Sequence, residues 1–215
     1  MSTPRPRRPG RRPVADDTDL RARLLDAAVE AYSRSGVAGT TNRALARAAG
    51  VNPALVSYYF GDQLPATVAQ ERILPAMGEL IAAMGEPPEA ALGLATRFVD
   101  AVYAVIARHP WLPGLWVREV LVDGGAFRHI VFERADAVPR VVAARFAQAQ
   151  QAGGLAEGIE PRLVVVSLVG LTLFTAASAP IWRRVFDADD LGVDAMRRHA
   201  HALLAHGLAP AGASR

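Results

Sequence analysis

Residues 40–64, TTNRALARAAGVNPALVSYYFGDQL, contain the pattern of two short helices joined by a tight turn. The first helix begins at the pair Thr40-Thr41, whose hydroxyls can cap free amide groups. Leu45, Ala46 and Ala49 then follow at the spacing of one buried helical face. Gly50 supplies the left-handed conformation that ends a helix and turns the chain.

The second helix is predicted over residues 53–59. Asn52 serves as its N-cap, and a proline at the first helical position sacrifices no hydrogen bond. Val56 and Tyr59 share the face that packs, whereas the opposite face is small and polar. That outer face carries Pro53, Ala54, Ser57 and Tyr58. Such a helix can approach base edges in a DNA groove, although helical hairpins also occur in proteins that never bind DNA.

The residues around this hairpin resemble the amino-terminal pattern of the TetR family of bacterial transcriptional regulators. The matching positions, in order, are Tyr32, Gly36, Thr40-Thr41, Leu45-Ala46, Ala49-Gly50-Val51 and Tyr58-Tyr59-Phe60. The resemblance covers about residues 18–64. It implies an all-α protein with a three-helix DNA-binding domain, in which the second hairpin helix is the recognition helix, followed by a larger helical domain that binds an effector and dimerises.

Two positions depart from the family pattern. Family members usually carry a phosphate-binding Lys shortly after the Phe, where this chain has the neutral Gln63. That contact should therefore contribute less to DNA affinity. The aromatic residue that grips the backbone lies one place later than in many members, at Tyr58. The residues expected to contact DNA are Thr41, Arg43, Asn52, Pro53, Ala54, Ser57, Tyr58, Tyr59 and Gln63.

Positive charge is concentrated in the amino-terminal part of the chain. All 24 basic residues are arginines, and ten of them precede residue 64 together with six acids. That part has a net charge of +4, whereas the rest is close to −1. Residues 1–17 are predicted to form a disordered Arg/Pro-rich arm. Its arginines either enter a minor groove or form a solvated leader; they are Arg5, Arg7, Arg8, Arg11 and Arg12.

The composition excludes several other classes of protein. With no cysteine, disulfides, thiolate catalysis and Cys-ligated zinc are ruled out. No apolar run reaches the roughly 18 to 20 residues of a membrane span, so a cytoplasmic protein without membrane attachment is expected. No HExxH, Gly-rich phosphate loop or Gly-x-Ser-x-Gly motif occurs. His199, His201 and His206 do not share a helical face, and neither a metal nor a cofactor is expected.

Helical periodicity predicts seven further elements, with residues 18–63 forming the DNA-binding domain, residues 64–209 the effector and dimerisation domain, and residues 210–215 a tail. The first helix of the chain should run from Thr18 to Gly36 and the fourth over residues 62–84, with either a bend or a break at Pro75. The later segments are predicted over residues 88–108, 112–122, 126–152, 161–177 and 193–208.

The middle segments hold most of the large aromatic residues. In the TetR family this region encloses a small-molecule pocket, and apolar walls with a few polar groups fit such a site. The alternative is an ordinary core with surface charges. The predicted pocket residues are Phe98, Tyr103, Trp111, Trp116, Arg118, Glu119, Phe127, His129 and Phe132.

The last two long segments are predicted to form a dimer surface, since TetR-like proteins pair through a four-helix bundle. The alternative for the first of them is a central core helix, because it is apolar nearly all round. The predicted interface residues are Leu163, Ser167, Gly170, Phe174, Met196, Ala200, Leu203 and Leu204.

These patterns predict a repressor released from a palindromic operator by a small apolar effector. Its expected partners are double-stranded DNA, the effector and a second copy of the chain. A helical protein–protein adaptor and an enzyme without a recognisable motif are the alternatives from other classes.

Overall fold

The computed structural model describes residues 14–84, 90–135 and 137–207, which form helices and turns. The helices are α1 (Val14–Ser35), α2 (Asn42–Ala49), α3 (Ala54–Phe60), α4 (residues 64–84), α5 (Ala91–Arg108), α6 (residues 112–121), α7 (Arg128–Ala135), α8 (Ala137–Gln151), α9 (residues 161–177), α10 (Ala179–Val185) and α11 (Val193–Gly207). The fold class is all-α, which confirms the prediction.

The prediction for α1 was wrong at its start. The helix begins at Val14, one turn before Thr18, so residues 14–17 are not part of a disordered arm. Acidic residues are favourable in the first turn of a helix, and the sequence places acids there. Residues 1–13, with the five arginines of the predicted arm, lie outside the described part of the chain.

Two hydrophobic cores organise the chain. The amino-terminal core joins α1, α2 and α3 to the first half of α4. The same core also takes in Leu115 and Val120 of α6 and Val131 of α7. The carboxy-terminal core is built mainly on α5, α8, α9 and α11. Helix α6 therefore contributes to the core under the α2–α3 hairpin although it lies far along the chain.

Helix α4 contains a π-helical turn, Ala69–Ile73, immediately before Pro75. A proline at this position cannot donate to the carbonyl of Glu71, four residues earlier. That carbonyl instead accepts a hydrogen bond of 3.0 Å from Nη1 of Arg72. The structure thus absorbs the proline by a local change of helical type, and α-helix resumes over Leu74–Met84.

Helices α9 and α10 meet at a sharp bend of 70°. Helix α10 was not predicted, although Ser178 and Pro180 are residues typical of a helix start. The indole nitrogen of Trp182 donates a hydrogen bond of 2.9 Å to the carbonyl of Thr175 across the bend. Among the described residues no single helix is long and apolar enough to cross a membrane. The bent pair α9–α10 reaches that length and apolar content only when its two helices are counted together.

Candidate DNA interface and effector cavity

Helix α3 packs one face and exposes the other. Val56 and Phe60 are buried in the amino-terminal core. Ala54 and Ser57 are exposed, and the ring of Tyr58 is 76% exposed. Tyr59 is only half-buried, with its ring edge-on to that of Tyr58 at 5.1 Å. The helix therefore presents small residues and an aromatic ring to solvent.

The caps of α2 are as predicted, whereas α3 begins at Ala54 with Pro53, and not Asn52, at its N-cap position. The hydroxyl of Thr41 accepts a hydrogen bond from the amide of Ala44, and Gly50 has the left-handed conformation with φ of 67°. The side-chain oxygen of Asn52 accepts from the amide of Ala54 at 2.9 Å. These local bonds fix the angle at which α3 leaves the turn.

Helix α4 is fastened to α1 by two ion pairs. Both guanidinium nitrogens of Arg21 donate to the carboxylate of Glu71, at 2.5 and 2.8 Å. The Arg21 hydrogen bond lowers the pKa of Glu71. One turn along, Nε of Arg72 donates to Asp26 at 2.7 Å. These pairs hold α4 against α1, and α1 packs against α2 and α3 in the amino-terminal core.

Two arginines of α2 remain available for phosphates. Arg43 and Arg47 are exposed, lie one turn apart and make no ion pair or hydrogen bond to any other described residue. By contrast, Nη2 of Arg23 donates to the carbonyl of Ala49 at 2.5 Å. Arg47 was not among the predicted contacts, although its spacing of four from Arg43 places both on one helical face. Gln63 is exposed at the start of α4.

A cavity of about 410 Å³ lies between α4, α5, α6, α7, α8 and α9. Its floor is formed by buried apolar residues, namely Ala76, Phe98, Val102, Val105, Leu112 and Leu173. The rim is more exposed and carries Ile81, Leu121, Arg128 and Phe132. Arg128 is the one charged side chain among the described residues that line this cavity.

Of the nine predicted pocket residues, Phe98, Trp116 and Phe132 line this cavity and the other six do not. Tyr103 is buried elsewhere, and its hydroxyl donates to the carbonyl of Leu171. Trp111 packs between the two cores, and Phe127 packs against Tyr32. His129 is exposed. None of these four side chains lines the cavity.

Arg118 and Glu119 face α1 and the loop that follows it, and neither lines the cavity. Nε of Arg118 donates to the carbonyl of Ser33 in α1, with a long distance of 3.4 Å. The Glu119 carboxylate is 7% exposed. It accepts from the amide of Val37 at 2.8 Å and from that of Ala126 at 2.9 Å. Glu119 therefore ties α6 to the loop between α1 and α2.

Trp116 lines the cavity, and its indole carries a buried polar atom. Its indole nitrogen is buried and has no hydrogen-bond partner among the described residues. A buried donor without an acceptor is unfavourable, and buried polar groups in native proteins are nearly always paired. The sequence shows neither the burial of the indole nitrogen nor the position of Arg128 at the rim, because composition alone does not show which side chains reach a cavity.

The predicted dimer surface is only partly exposed. Leu163, Ser167, Gly170 and Phe174 form an exposed stripe along α9. Met196 and Ala200 of α11 were predicted wrongly, because both are buried in the chain's own core. Leu203 is exposed and Leu204 is half-buried. Further exposed apolar residues lie on α10, where Ile181 and Val185 point to solvent.

Metal-ligating residues do not cluster in the described part of the chain, where no group of three or more His, Cys, Asp or Glu side chains comes together. His199 is exposed. Nε2 of His201 lies 3.0 Å from a carboxylate oxygen of Asp100 on α5. The side chain of His206 is outside the described residues.

Both the amino-terminal sequence and the fold resemble those of known proteins. Residues 24–63 match the family described as bacterial regulatory proteins, tetR family. A TetR-like transcriptional regulator from Rhodococcus sp. RHA1 has the same fold, with a TM-score of 0.64 at 21% identity over 87% of this chain and 94% of that one. None of the curated proteins matches the sequence.

Two further solved structures are similar and hold a ligand. The transcriptional regulator FadR from Bacillus subtilis, in complex with stearoyl-CoA, has a TM-score of 0.62 at 17% identity over 87% of this chain and 99% of that one. A regulator from Saccharomonospora viridis in complex with choline has a TM-score of 0.61 at 16% identity over 89% and 98%. Residues 24–63 are thus similar to the tetR family of bacterial regulatory proteins, and the chain shares the fold of the solved transcriptional regulators.

Proposed function

We propose that the protein is a ligand-responsive regulator that binds a palindromic operator as a homodimer and is released by a small effector. The observation that carries this proposal is the position of α6. Leu112 and Trp116 of this helix line the cavity, whereas Leu115 packs in the amino-terminal core and Glu119 accepts a hydrogen bond from Val37 in the loop between α1 and α2. A ligand that shifts α6 changes the support of the hairpin directly.

The proposed DNA contacts come from α2, α3 and the start of α4. Ser57 and Tyr58 face the groove, with Ala54 small enough to let the helix approach base edges. Arg43 and Arg47 bind backbone phosphates on one side of the hairpin, and Gln63 donates a hydrogen bond on the other. Thr41, Asn52 and Pro53 act through the local geometry of the helix starts, and Tyr59 supports Tyr58. The arm of residues 1–13 adds phosphate contacts.

The effector fills the cavity between α4 and α9. Its volume lies within the range of about 300 to 1,000 Å³ that ligand pockets occupy. Release of the operator requires that the ligand bind one arrangement of α6 more tightly than the other. The stearoyl-CoA and choline complexes of similar folds support a ligand-binding role for this domain.

The exposed stripe on α9 and α10 is proposed as the dimer interface. Phe174 is 60% exposed and Ile181 is 70% exposed, and such large apolar side chains in one patch mark a contact surface. A two-fold contact would use the same patch on both copies and match the symmetry of a palindrome. Phe174→Asp should convert the dimer to a monomer in light scattering while helicity is kept. A dimer that survives this variant and Ile181→Asp excludes the surface.

Operator binding is tested with the DNA beside the protein's own gene in titrations followed by fluorescence anisotropy. The double variant Ser57→Ala, Tyr58→Ala should abolish binding and keep helicity and dimerisation, since both side chains are exposed. Ala82→Ser, on an exposed site of α4, is the matched control. Unchanged affinity in the double variant removes α3 from its role. A wild-type protein that binds no DNA but captures another protein supports the adaptor alternative.

A further inference from the structure

The cavity has a graded chemistry from floor to rim. Its floor is apolar and closed by buried residues such as Val102 and Val105. The rim combines exposed Phe132 with Arg128, whose side chain is 37% exposed. The guanidinium of Arg128 lies 5.6 Å from the centre of the Phe132 ring. An apolar body is therefore accommodated inside, and charge only at the entrance.

The one charged side chain among the described residues that line the cavity, Arg128, is positive. No Asp or Glu occurs among the described residues that line the cavity. Arg128 pairs with the carboxylate of Asp123, which is 98% exposed. Exposed ion pairs of this kind contribute little free energy. An anionic group on a ligand can therefore replace Asp123 as the partner of Arg128, whereas a cationic group would be repelled.

From the apolar floor and the single positive charge at the rim we infer that the cavity takes an aliphatic molecule with one anionic end group, its chain on the apolar floor and its anion at Arg128. The inference rests on the proposed function and names the class of effector.

The test compares three probes with one alkyl chain and different end groups, namely decanoate, 1-decanol and decyltrimethylammonium. Their affinities for the full-length protein are measured by calorimetry. Decanoate should bind most tightly and the cation most weakly. Equal affinity for decanoate and decanol, or preference for the cation, overturns the inference. A longer carboxylate and its coenzyme A thioester then distinguish a free acid from an acyl carrier as the source.

Two variants assign the contacts. Arg128→Gln should weaken decanoate binding about fivefold, the upper end for a half-exposed ion pair, and leave decanol binding unchanged. Arg134→Gln, on an exposed site of the same helix, is its control. Asp123→Asn should strengthen decanoate binding because it removes the competing carboxylate. An equal loss for both probes in Arg128→Gln overturns the role of the arginine.

If decanoate binds in this pattern without changing operator affinity, the ligand class stands and the proposed function fails. If another compound releases the operator and decanoate does not bind, the proposed function stands and the ligand class fails.

Discussion

Removing the carboxylate of Glu119 is expected to destabilise the protein by about 2 to 4 kcal/mol. The carboxylate accepts hydrogen bonds from the amides of Val37 and Ala126, at 2.8 and 2.9 Å. Glu119→Ala leaves both donors without an acceptor, and each unsatisfied buried donor costs about 1 to 3 kcal/mol. The lower half of the summed range applies because both residues are only half-buried and water reaches them in part. Glu119→Gln keeps one acceptor and should cost about half as much.

Gly36 provides an independent route to the same contact. It has φ of 75°, and a Cβ atom there would lie 2.8 Å from Oε1 of Glu119. Gly36→Ala therefore adds a backbone cost of about 1 to 2 kcal/mol and displaces the carboxylate. In a Glu119→Ala background the displacement disappears and only the backbone cost remains. The two substitutions should thus be less costly together than the sum of their separate effects.

Urea unfolding followed by circular dichroism measures the free energy of unfolding of the wild type, Glu119→Ala, Glu119→Gln, Gly36→Ala and the double variant. A loss below about 1 kcal/mol for Glu119→Ala, or additive effects of the two substitutions, would refute the reasoning that this carboxylate fastens α6 to the α1–α2 loop. The folded Glu119→Gln variant then tests transmission. Its operator affinity should depend less on the effector than that of the wild type, because coupling between two sites is a free energy carried by contacts of this kind.

The remaining predictions concern charge. Gln63→Lys should tighten DNA binding for all sequences alike, and a gain confined to one sequence in titrations over salt would contradict a phosphate contact. Arg47→Gln should weaken binding and reduce the salt slope by about 0.9, whereas Arg34→Gln should leave the slope unchanged. Glu71→Gln should cost less than about 1 kcal/mol at neutral pH. The folded-state pKa of Glu71 is lowered, so its stabilisation is present above the ordinary pKa and lost as the pH falls through the lowered one. Unfolding curves of wild type and variant should converge in acid and stay apart at neutral pH.

Much of the DNA-binding hairpin was predictable because its determinants are local. Thr41, Gly50 and Asn52 act through hydrogen bonds and backbone angles within a few residues, and the sequence displays such neighbours directly. The packed and exposed faces of α3 follow from helical periodicity for the same reason. The start of α1 was placed one turn late, since a cap residue inside a helix resembles one at its end.

The cavity was decided by the tertiary structure. Whether an aromatic residue lines a void depends on the rotation of its helix against elements far away in sequence, and six of the nine predicted pocket residues face other surroundings. Glu119 shows this most clearly, because its two partners belong to different loops. An apolar stripe predicts burial but does not show what covers it. The stripe on α11 predicts an interface at Met196 and Ala200, whereas the chain's own core buries both. The amino-acid sequence by itself determined the all-α class and the hairpin, whose interactions are short in sequence. Only packing between distant helices decided which side chains line the cavity, join the amino-terminal core or stay exposed on α9 and α10.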